Sequence, residues 1–211
     1  MASQYDTFRY NMVNYVKTWE VNDNNILDLM GNISREKFFE KEVSDLSYSD
    51  SMIPIGHGQL SLEPKMIARI LQCLNLKKTD SVLEVGTGSG YLTTLLSKLT
   101  KEVYTIEIIP DIFHKANRLF AEQNIKNIHS KNTNGLNGWD ESKTFDKIII
   151  TGSLNEIPET LINKLRDNGK MFVTIGSKPV MRAKIVTKSE NNLNQENIFD
   201  TYIPKMRDID I

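Results

Sequence analysis

Apolar side chains recur at helical spacing in the first part of the chain. Within residues 4–42 they fall near a 3.6-residue period at Tyr5, Phe8, Met12, Val13, Tyr15, Val16 and Trp19. We expect a second helix to begin after Asn22 or Asp23 and to end at Gly31. The stretch from Ser44 to Pro64 is rich in proline and glycine and lacks this spacing, so it reads as an ordered loop.

From Met66 onward, short apolar strands alternate with amphipathic helices. The predicted strands are Val82–Val85, Val103–Ile106, a weaker one near Ile128, Phe145–Thr151, Met171–Ile175, Ala183–Thr187 and Ile198–Ile203, and the predicted helices are Met66–Leu76, Tyr91–Leu99, Ile112–Glu122 and Pro158–Leu165. This alternation predicts a Rossmann-like α/β fold with a doubly wound, mostly parallel sheet and an N-terminal helical extension. Two final strands without a helix between them predict an antiparallel edge. We therefore divide the chain into residues 1–65, which form the extension and a loop, and residues 66–211, within one structural unit.

Composition narrows the possible partners. The 211 residues carry a formal net charge of -1, so no overall charge attracts the chain to nucleic acid or to an acidic membrane. The sequence shows no signal peptide, no apolar run long enough to span a bilayer and a single cysteine, Cys73, which indicates a cytoplasmic protein. Neither His114 nor His129 has cysteine or carboxylate neighbours at metal-binding spacing, so we predict no metal.

A glycine-rich turn carries the strongest chemical signal. Gly86–Gly90 follows a predicted strand and precedes a helix, where backbone can approach a ligand closely. Dinucleotide sites require a glycine at position 91, which is Tyr91 here. A Gly-x-Gly-x-Gly turn after the acidic Glu84, with Glu107 ending the next strand, is instead typical of S-adenosyl-L-methionine sites, where that second carboxylate accepts the ribose hydroxyls. A turn that serves only tight packing and a nicotinamide site are the alternatives.

The motifs around this turn resemble the protein-L-isoaspartate O-methyltransferase family over roughly Met12 to Pro204. The matching segments are Pro54 to Gln59 (Pro-Ile-Gly-His-Gly-Gln), Val82 to Tyr91, Val103 to Glu107, Thr133 to Trp139, Phe145 to Ile149, Glu156 to Pro158 and Leu165 to Gly169. The first of these and the Gly138-Trp139 pair are specific to the family. The resemblance implies an S-adenosyl-L-methionine-dependent enzyme that methylates isoaspartyl carboxylates of damaged proteins or peptides. The predicted cofactor-binding residues are Glu84, Gly86, Thr87, Gly88, Ser89, Gly90, Glu107, Ile108, Asn134 and Gly135.

The presumed substrate loop departs from the family pattern. The family usually reads Thr-Ile-Ser-Gln-Pro after the glutamine, and its serine contacts the substrate carboxylate. Here Leu60 and Leu62 occupy the threonine and serine positions, Ser61 is displaced by one residue, and Glu63 adds a negative charge. Asn134 similarly replaces an aspartate that would help to hold the cofactor, and it can still form hydrogen bonds.

Three functional hypotheses remain open at this point. The chain is an isoaspartyl methyltransferase with an altered loop, a methyltransferase for another acceptor, or a cofactor-binding homologue without turnover. We assign Ser61, His57 and Leu62 as candidate catalytic positions. For another acceptor, Glu63 or His57 would act as a base or orienting group, and His57 alternatively only orders its loop. Trp139 lines the site or packs in the core. The sequence leaves the oligomeric state open.

Overall fold

The computed structural model describes residues 4–140, 142–190 and 192–207. The N-terminal extension contains helices α1 (Gln4–Lys17) and α2 (Asn24–Asn32) and two short 3-10 turns, Arg35–Phe38 and Ser44–Leu46. Helix α2 is capped by Asp23, whose carboxylate accepts hydrogen bonds from the backbone of Asn25 and Ile26. The helix continues through Gly31, where we predicted its end, and stops one residue later.

The segment predicted as a loop contains a small antiparallel hairpin. Its strands are β1 (Pro54–Gly56) and β2 (Gln59–Leu60), and the turn between them places His57 at a φ of +51° and Gly58 at +70°. Helix α3 (Pro64–Leu74) follows directly, with its proline in the first turn, where a missing N–H costs nothing.

The remaining elements build one seven-stranded sheet with helices on its faces. The strands are β3 (Ser81–Val85), β4 (Glu102–Glu107), β5 (Ile128–Asn132), β6 (Phe145–Leu154), β7 (Leu165–Ser177), β8 (Val180–Ser189) and β9 (Asn192–Thr201), and the helices are α4 (Tyr91–Leu99), α5 (Pro110–Glu122) and α6 (Glu159–Lys164). The spatial order is β5-β4-β3-β6-β7-β8-β9. Neighbouring strands from β5 to β7 pair in parallel, and β8 and β9 add antiparallel pairs. The predicted doubly wound fold with an antiparallel edge is confirmed.

The burial of the strand residues explains why the strands could be predicted from the sequence. All five residues of β3 are buried, as expected for a central parallel strand that is covered on both faces. The N-terminal extension contributes Met12, Val16 and Met30 to the same apolar core as α3 and α4. Among the described residues, no helix has the length and apolar character needed to cross a membrane.

Candidate active site

A cleft of about 720 Å³ opens at the carboxyl ends of the central parallel strands. Its described lining comes from the hairpin, from β3, β4 and β6 with the turns that follow them, and from a late segment, through Ile55, Gln59, Leu60, Leu62, Val85, Gly86, Gly88, Glu107, Ile108, Ile109, Asn134, Gly135, Thr151, Gly152 and residues 203–207 among others. Ligands of open α/β sheets bind at this edge. The structure therefore brings most of the predicted cofactor residues together.

The backbone of Gly86 and Gly88 lines the cleft. Their φ values are +95° and +54°, a region that other residues adopt only with strain. A Cβ atom at position 86 would lie 2.2 Å from Thr151 Oγ1. That hydroxyl donates a 2.9 Å hydrogen bond to the carbonyl of Gly86, so β6 holds the turn at this close approach. Only glycine fits at position 86.

Gly90 has a different role from its two predecessors. It caps α4 at a φ of +83°, and a Cβ there would lie 2.8 Å from the ring of Phe120 on α5. Gly90 does not line the cleft. The third glycine of the motif thus permits helix packing, and its direct contact with a cofactor stays a prediction.

Glu107 ends β4 with both carboxylate oxygens anchored. Oε2 accepts a 3.0 Å hydrogen bond from the backbone N–H of Gly88, and Oε1 accepts one of 3.0 Å from Ile109. The side chain lines the cleft and is largely buried. Each carboxylate oxygen can accept more than one hydrogen bond, so this fixed group can also accept ribose hydroxyls.

Asn134 and Gly135 form the adjacent wall. The Asn134 side-chain oxygen accepts a 3.0 Å hydrogen bond from the N–H of Leu136 and caps the short turn Gly135–Asn137. An aspartate would make the same bond, which explains how the chain tolerates asparagine here. A Cβ at Gly135 would lie 2.6 Å from Val85, so the wall needs glycine to approach the sheet.

Glu84 lies beneath the cleft. Its side chain is fully buried, and Oε2 accepts hydrogen bonds from Thr93 (2.5 Å) and Thr105 (2.7 Å). Burial raises its pKa to about 8, against these two hydrogen bonds, so the carboxyl is mainly protonated at neutral pH. Glu84 lines a smaller cavity of about 380 Å³ together with Thr87. Its predicted contact with the cofactor stays a prediction.

Two other predicted positions also lie beside the cleft. Thr87 forms a 2.6 Å hydroxyl–hydroxyl hydrogen bond with Thr105, which ties the glycine turn to β4. Ser89 lines a neighbouring cavity of about 570 Å³ between Phe38, Ile55 and α5. Both residues shape the turn from outside the principal cleft.

The hairpin and the residues after it form the presumed substrate loop. Leu60 is 41% exposed at the cleft, whereas Leu62 is buried and also belongs to the core shared with the N-terminal extension. The hydroxyl of Ser61 accepts hydrogen bonds from the N–H of Ile53 (3.3 Å) and from Arg35 Nη2 (3.5 Å). Ser61 borders the smaller cavity rather than the principal cleft.

The two charged residues of this region are engaged elsewhere. Glu63 Oε2 lies 3.3 Å from Lys65 Nζ, which lies closer, at 2.6 Å, to Asp50 Oδ2, and Glu63 does not line the cleft. His57 Nε2 lies 2.9 Å from an oxygen of Asp111, with both side chains well exposed and outside the cleft. His57 is therefore not placed beside the cleft as a base.

Trp139 and His129 both pack against Tyr104. Trp139 packs edge-on against Tyr104 at 5.0 Å between ring centroids, and it does not line the cleft. The ring of His129 stacks on that of Tyr104, with 4.6 Å between the ring centroids. No group of three or more metal-ligating side chains occurs among the described residues.

Sequence reasoning missed Thr151, Gly152 and residues 203–207. Thr151 and Gly152 lie near the carboxyl end of β6, where the pairing with β7 is irregular between Ile149 and Ser153. The rule that ligands bind at strand carboxyl ends could have identified them. Residues 203–207 have no periodic signal, and only the three-dimensional fold brings them to the cleft.

Comparisons with known proteins agree with this geometry. A family model described as protein-L-isoaspartate(D-aspartate) O-methyltransferase matches residues 9–207. A protein-L-isoaspartate O-methyltransferase of Dictyoglomus thermophilum is 33% identical over 195 residues, which cover 92% of this chain and 89% of that protein.

Solved structures share the fold. One protein-L-isoaspartate O-methyltransferase superimposes with a TM-score of 0.84 at 23% identity, covering 95% of this chain and 66% of the other. A structure described as the Plasmodium falciparum member in complex with S-adenosyl-L-homocysteine gives a TM-score of 0.82 at 23% identity, covering 98% of this chain and 99% of the other.

Proposed function

Because the chain belongs to the protein-L-isoaspartate(D-aspartate) O-methyltransferase family, we propose that this cleft transfers a methyl group from S-adenosyl-L-methionine to isoaspartyl carboxylates of proteins or peptides. The family assignment makes the chain a methyltransferase enzyme. The observation that carries the proposal is the single cleft that joins the glycine turn and Glu107 to the substrate loop. A cytoplasmic location and the absence of nucleic-acid and membrane partners stay predictions.

The residues present fit the cofactor. Gly86 and Gly135 let the turn and the adjacent wall approach β6 and β3 closely, and Glu107 offers fixed acceptor oxygens. Gly86 and Gly88 would hold the aminoacyl part, Glu107 the ribose, and Asn134 with Ile108 the base. When bound, the cofactor supplies an electrophilic methyl group, to which a carboxylate oxygen bonds as the carbon–sulfur bond breaks and its electron pair stays on sulfur.

The acceptor needs little activation from the protein. A carboxyl group with a pKa near 4 is ionised at neutral pH, so no base has to remove a proton. The exposed His57–Asp111 pair agrees with this, because it lies outside the cleft. The chain's own contribution is to align the carboxylate and to exclude water, for which Ile55, Leu60 and Leu62 provide an apolar wall.

Methylation would begin a repair reaction. The ester recloses to a succinimide, which can reopen to a normal aspartyl linkage. The two alternatives that the altered loop suggested, another acceptor or a homologue without turnover, are not favoured by the family assignment. Glu63 does not line the cleft, which removes one physical objection to an anionic substrate there.

The decisive experiment compares an isoaspartyl peptide with its normal aspartyl twin. Methyl transfer from radiolabelled S-adenosyl-L-methionine should occur to the former and be far slower with the latter. Calorimetry with S-adenosyl-L-homocysteine should show binding in the same preparation. Binding without transfer to the isoaspartyl peptide would contradict the proposed acceptor, and no binding by folded protein would contradict the proposed cofactor.

A further inference from the structure

Residues 203–207 form a strap along the carboxyl edge of β6. The N–H of Ser153 donates a 2.9 Å hydrogen bond to the carbonyl of Pro204, and the N–H of Met206 donates one of 2.9 Å to the carbonyl of Ser153. Ser153 and Lys205 pair as an isolated parallel bridge. Two backbone hydrogen bonds on one residue therefore fix the register of the strap.

Packing fixes the strap as well. A Cβ atom at Gly152 would lie 2.5 Å from Met206 Sδ and 3.0 Å from its Cα, so the strap lies directly on the backbone of β6. Met206 also approaches Gly86, where a Cβ would be 3.8 Å from its Cε. Lys205 and Arg207 are two residues apart in this extended segment, so they share a face, and both line the cleft.

The strap concentrates positive charge at one end of the cleft. Lys205 and Arg207 are the cationic residues among the described lining, and Glu107 is the carboxylate. Both cations are exposed, and neither forms an ion pair with a described residue. In the sheet order, β3 separates β4, which carries Glu107, from β6. Lys205 and Arg207 line the same cleft as Glu107, and their strap lies against β6 and the turn after β3.

Among the described lining, the substrate loop offers an anion no charged donor, and its polar side chain there is the neutral amide of Gln59. Leu60 and Leu62 are apolar, and the Ser61 hydroxyl is held by Ile53 and Arg35 outside the principal cleft. A carboxylate brought to this end of the cleft loses water and needs compensating charge. Within the described lining, the strap supplies that charge.

We propose that Lys205 and Arg207 bind the acceptor carboxylate and select anionic substrates, in place of the hydroxyls that Leu60 and Leu62 lack. This inference rests on the proposed function and names the residues that give it specificity. The guanidinium of Arg207 can hold a carboxylate with two hydrogen bonds, and Lys205 adds a point charge. Methylation makes the acceptor neutral, so the same two cations bind the ester product less tightly than the substrate and favour its release.

The test measures binding of a fluorescein-labelled isoaspartyl peptide by anisotropy, at saturating S-adenosyl-L-homocysteine and about 0.05 M salt, where charge effects are weakly screened. The probe variant is Lys205→Gln/Arg207→Gln. The matched control is Lys101→Gln/Lys126→Gln, which removes two exposed cations at the amino ends of β4 and β5. A third variant, Lys205→Arg/Arg207→Lys, keeps both charges.

We expect the probe variant to raise the peptide Kd about tenfold relative to the control, with S-adenosyl-L-homocysteine affinity within about twofold of wild type. The charge-retaining variant should keep most of the affinity, and added salt should narrow the difference. Equal peptide affinity in probe and control variants, or an equal loss of S-adenosyl-L-homocysteine affinity, would overturn the inference. A wild type that does not bind the isoaspartyl peptide would also overturn the inference.

A failure of the proposed methyl transfer gives a different result from a failure of the proposed role of Lys205 and Arg207. Charge-dependent binding of the isoaspartyl peptide without methyl transfer by the wild type would contradict the proposed reaction and leave the role of the two cations intact. If the wild type and the probe variant both transfer the methyl group with equal peptide KM, the proposed reaction stands and the role of the two cations is contradicted.

Discussion

The guanidinium of Arg35 donates a 2.8 Å hydrogen bond to the backbone carbonyl of Leu62, which joins the N-terminal extension to the substrate loop. Arg35 is fully buried and also donates to the carbonyl of Ser47. Its guanidinium carbon lies 5.1 Å from the ring centre of Phe39 and 5.4 Å from that of Tyr91. Burial lowers its pKa to about 10, so it stays charged at neutral pH. The extension therefore acts as a support for the acceptor side of the cleft.

We predict that Arg35→Met lowers the free energy of unfolding by about 2–4 kcal/mol, because two buried carbonyls lose their donor. The peptide KM should rise more than the Kd for S-adenosyl-L-homocysteine, since the loop loosens while the glycine turn is untouched. Denaturant titration measures the free energy of unfolding, calorimetry the Kd, and steady-state methyl-transfer kinetics the peptide KM. Arg182→Met, at an exposed position on β8, is the control, and equal stability of the two variants would contradict this role.

Gly86→Ala should reduce S-adenosyl-L-homocysteine affinity at least about tenfold, because backbone strain adds to a contact 2.2 Å from Thr151 Oγ1. Gly58→Ala serves as a matched control. Its φ is also positive, at +70°, but nothing lies within 4 Å of the added Cβ. Calorimetry on both variants separates strain from steric crowding, and similar affinities would show that the close approach at Gly86 is unimportant.

Glu107→Gln should weaken S-adenosyl-L-homocysteine binding by about tenfold or more. The amide replaces one charged acceptor oxygen and places a donor where Gly88 or Ile109 already donates. Glu102→Gln, at the other end of β4, removes the same charge far from the cleft. If both variants bind the ligand equally well, the ribose contact lies elsewhere.

Glu84 should make stability depend on pH. Its pKa of about 8 in the folded state exceeds the ordinary value of 4.5, so between these values the folded protein retains a proton that the unfolded chain has lost. Stability from this group is therefore fully present below about pH 4.5, falls by at most about 1.4 kcal/mol per pH unit as pH rises, and levels off above about 8.

The measurement is the difference in unfolding free energy between wild type and Glu84→Gln from pH 5 to 9. Other titrating groups largely cancel in this difference. It should decline up to about pH 8 and then become flat. A difference that is constant across the range would mean that Glu84 titrates alike in the folded and unfolded chain.

The sheet was predictable because its central strands are covered on both faces, which makes β3 and β6 rich in buried apolar residues. The turn at Gly86 and the carboxylate of Glu107 were predictable because their roles depend on local spacing within one strand–turn–helix unit.

Other features depend on distant contacts that no local pattern encodes. Arg35 lies in a charged stretch with Glu36 and Lys37 that resembles a solvated surface, yet it is fully buried. Glu84 and Glu107 are both acidic residues near strand ends, and only the three-dimensional structure places one beneath the cleft and the other at its edge. The strap at Lys205 reaches the cleft through a backbone contact with Ser153, 52 residues earlier in the chain.

The cleft is lined by residues as far apart in sequence as Ile55 and Arg207. Ligand binding there is therefore coupled to the folding of all the segments between them. Such non-local contacts raise the contact order, which slows folding and delays the binding-competent state until the hairpin, sheet and strap have all assembled. Ligand should then protect amide hydrogens of the hairpin and the strap from exchange together, although about 150 residues separate them.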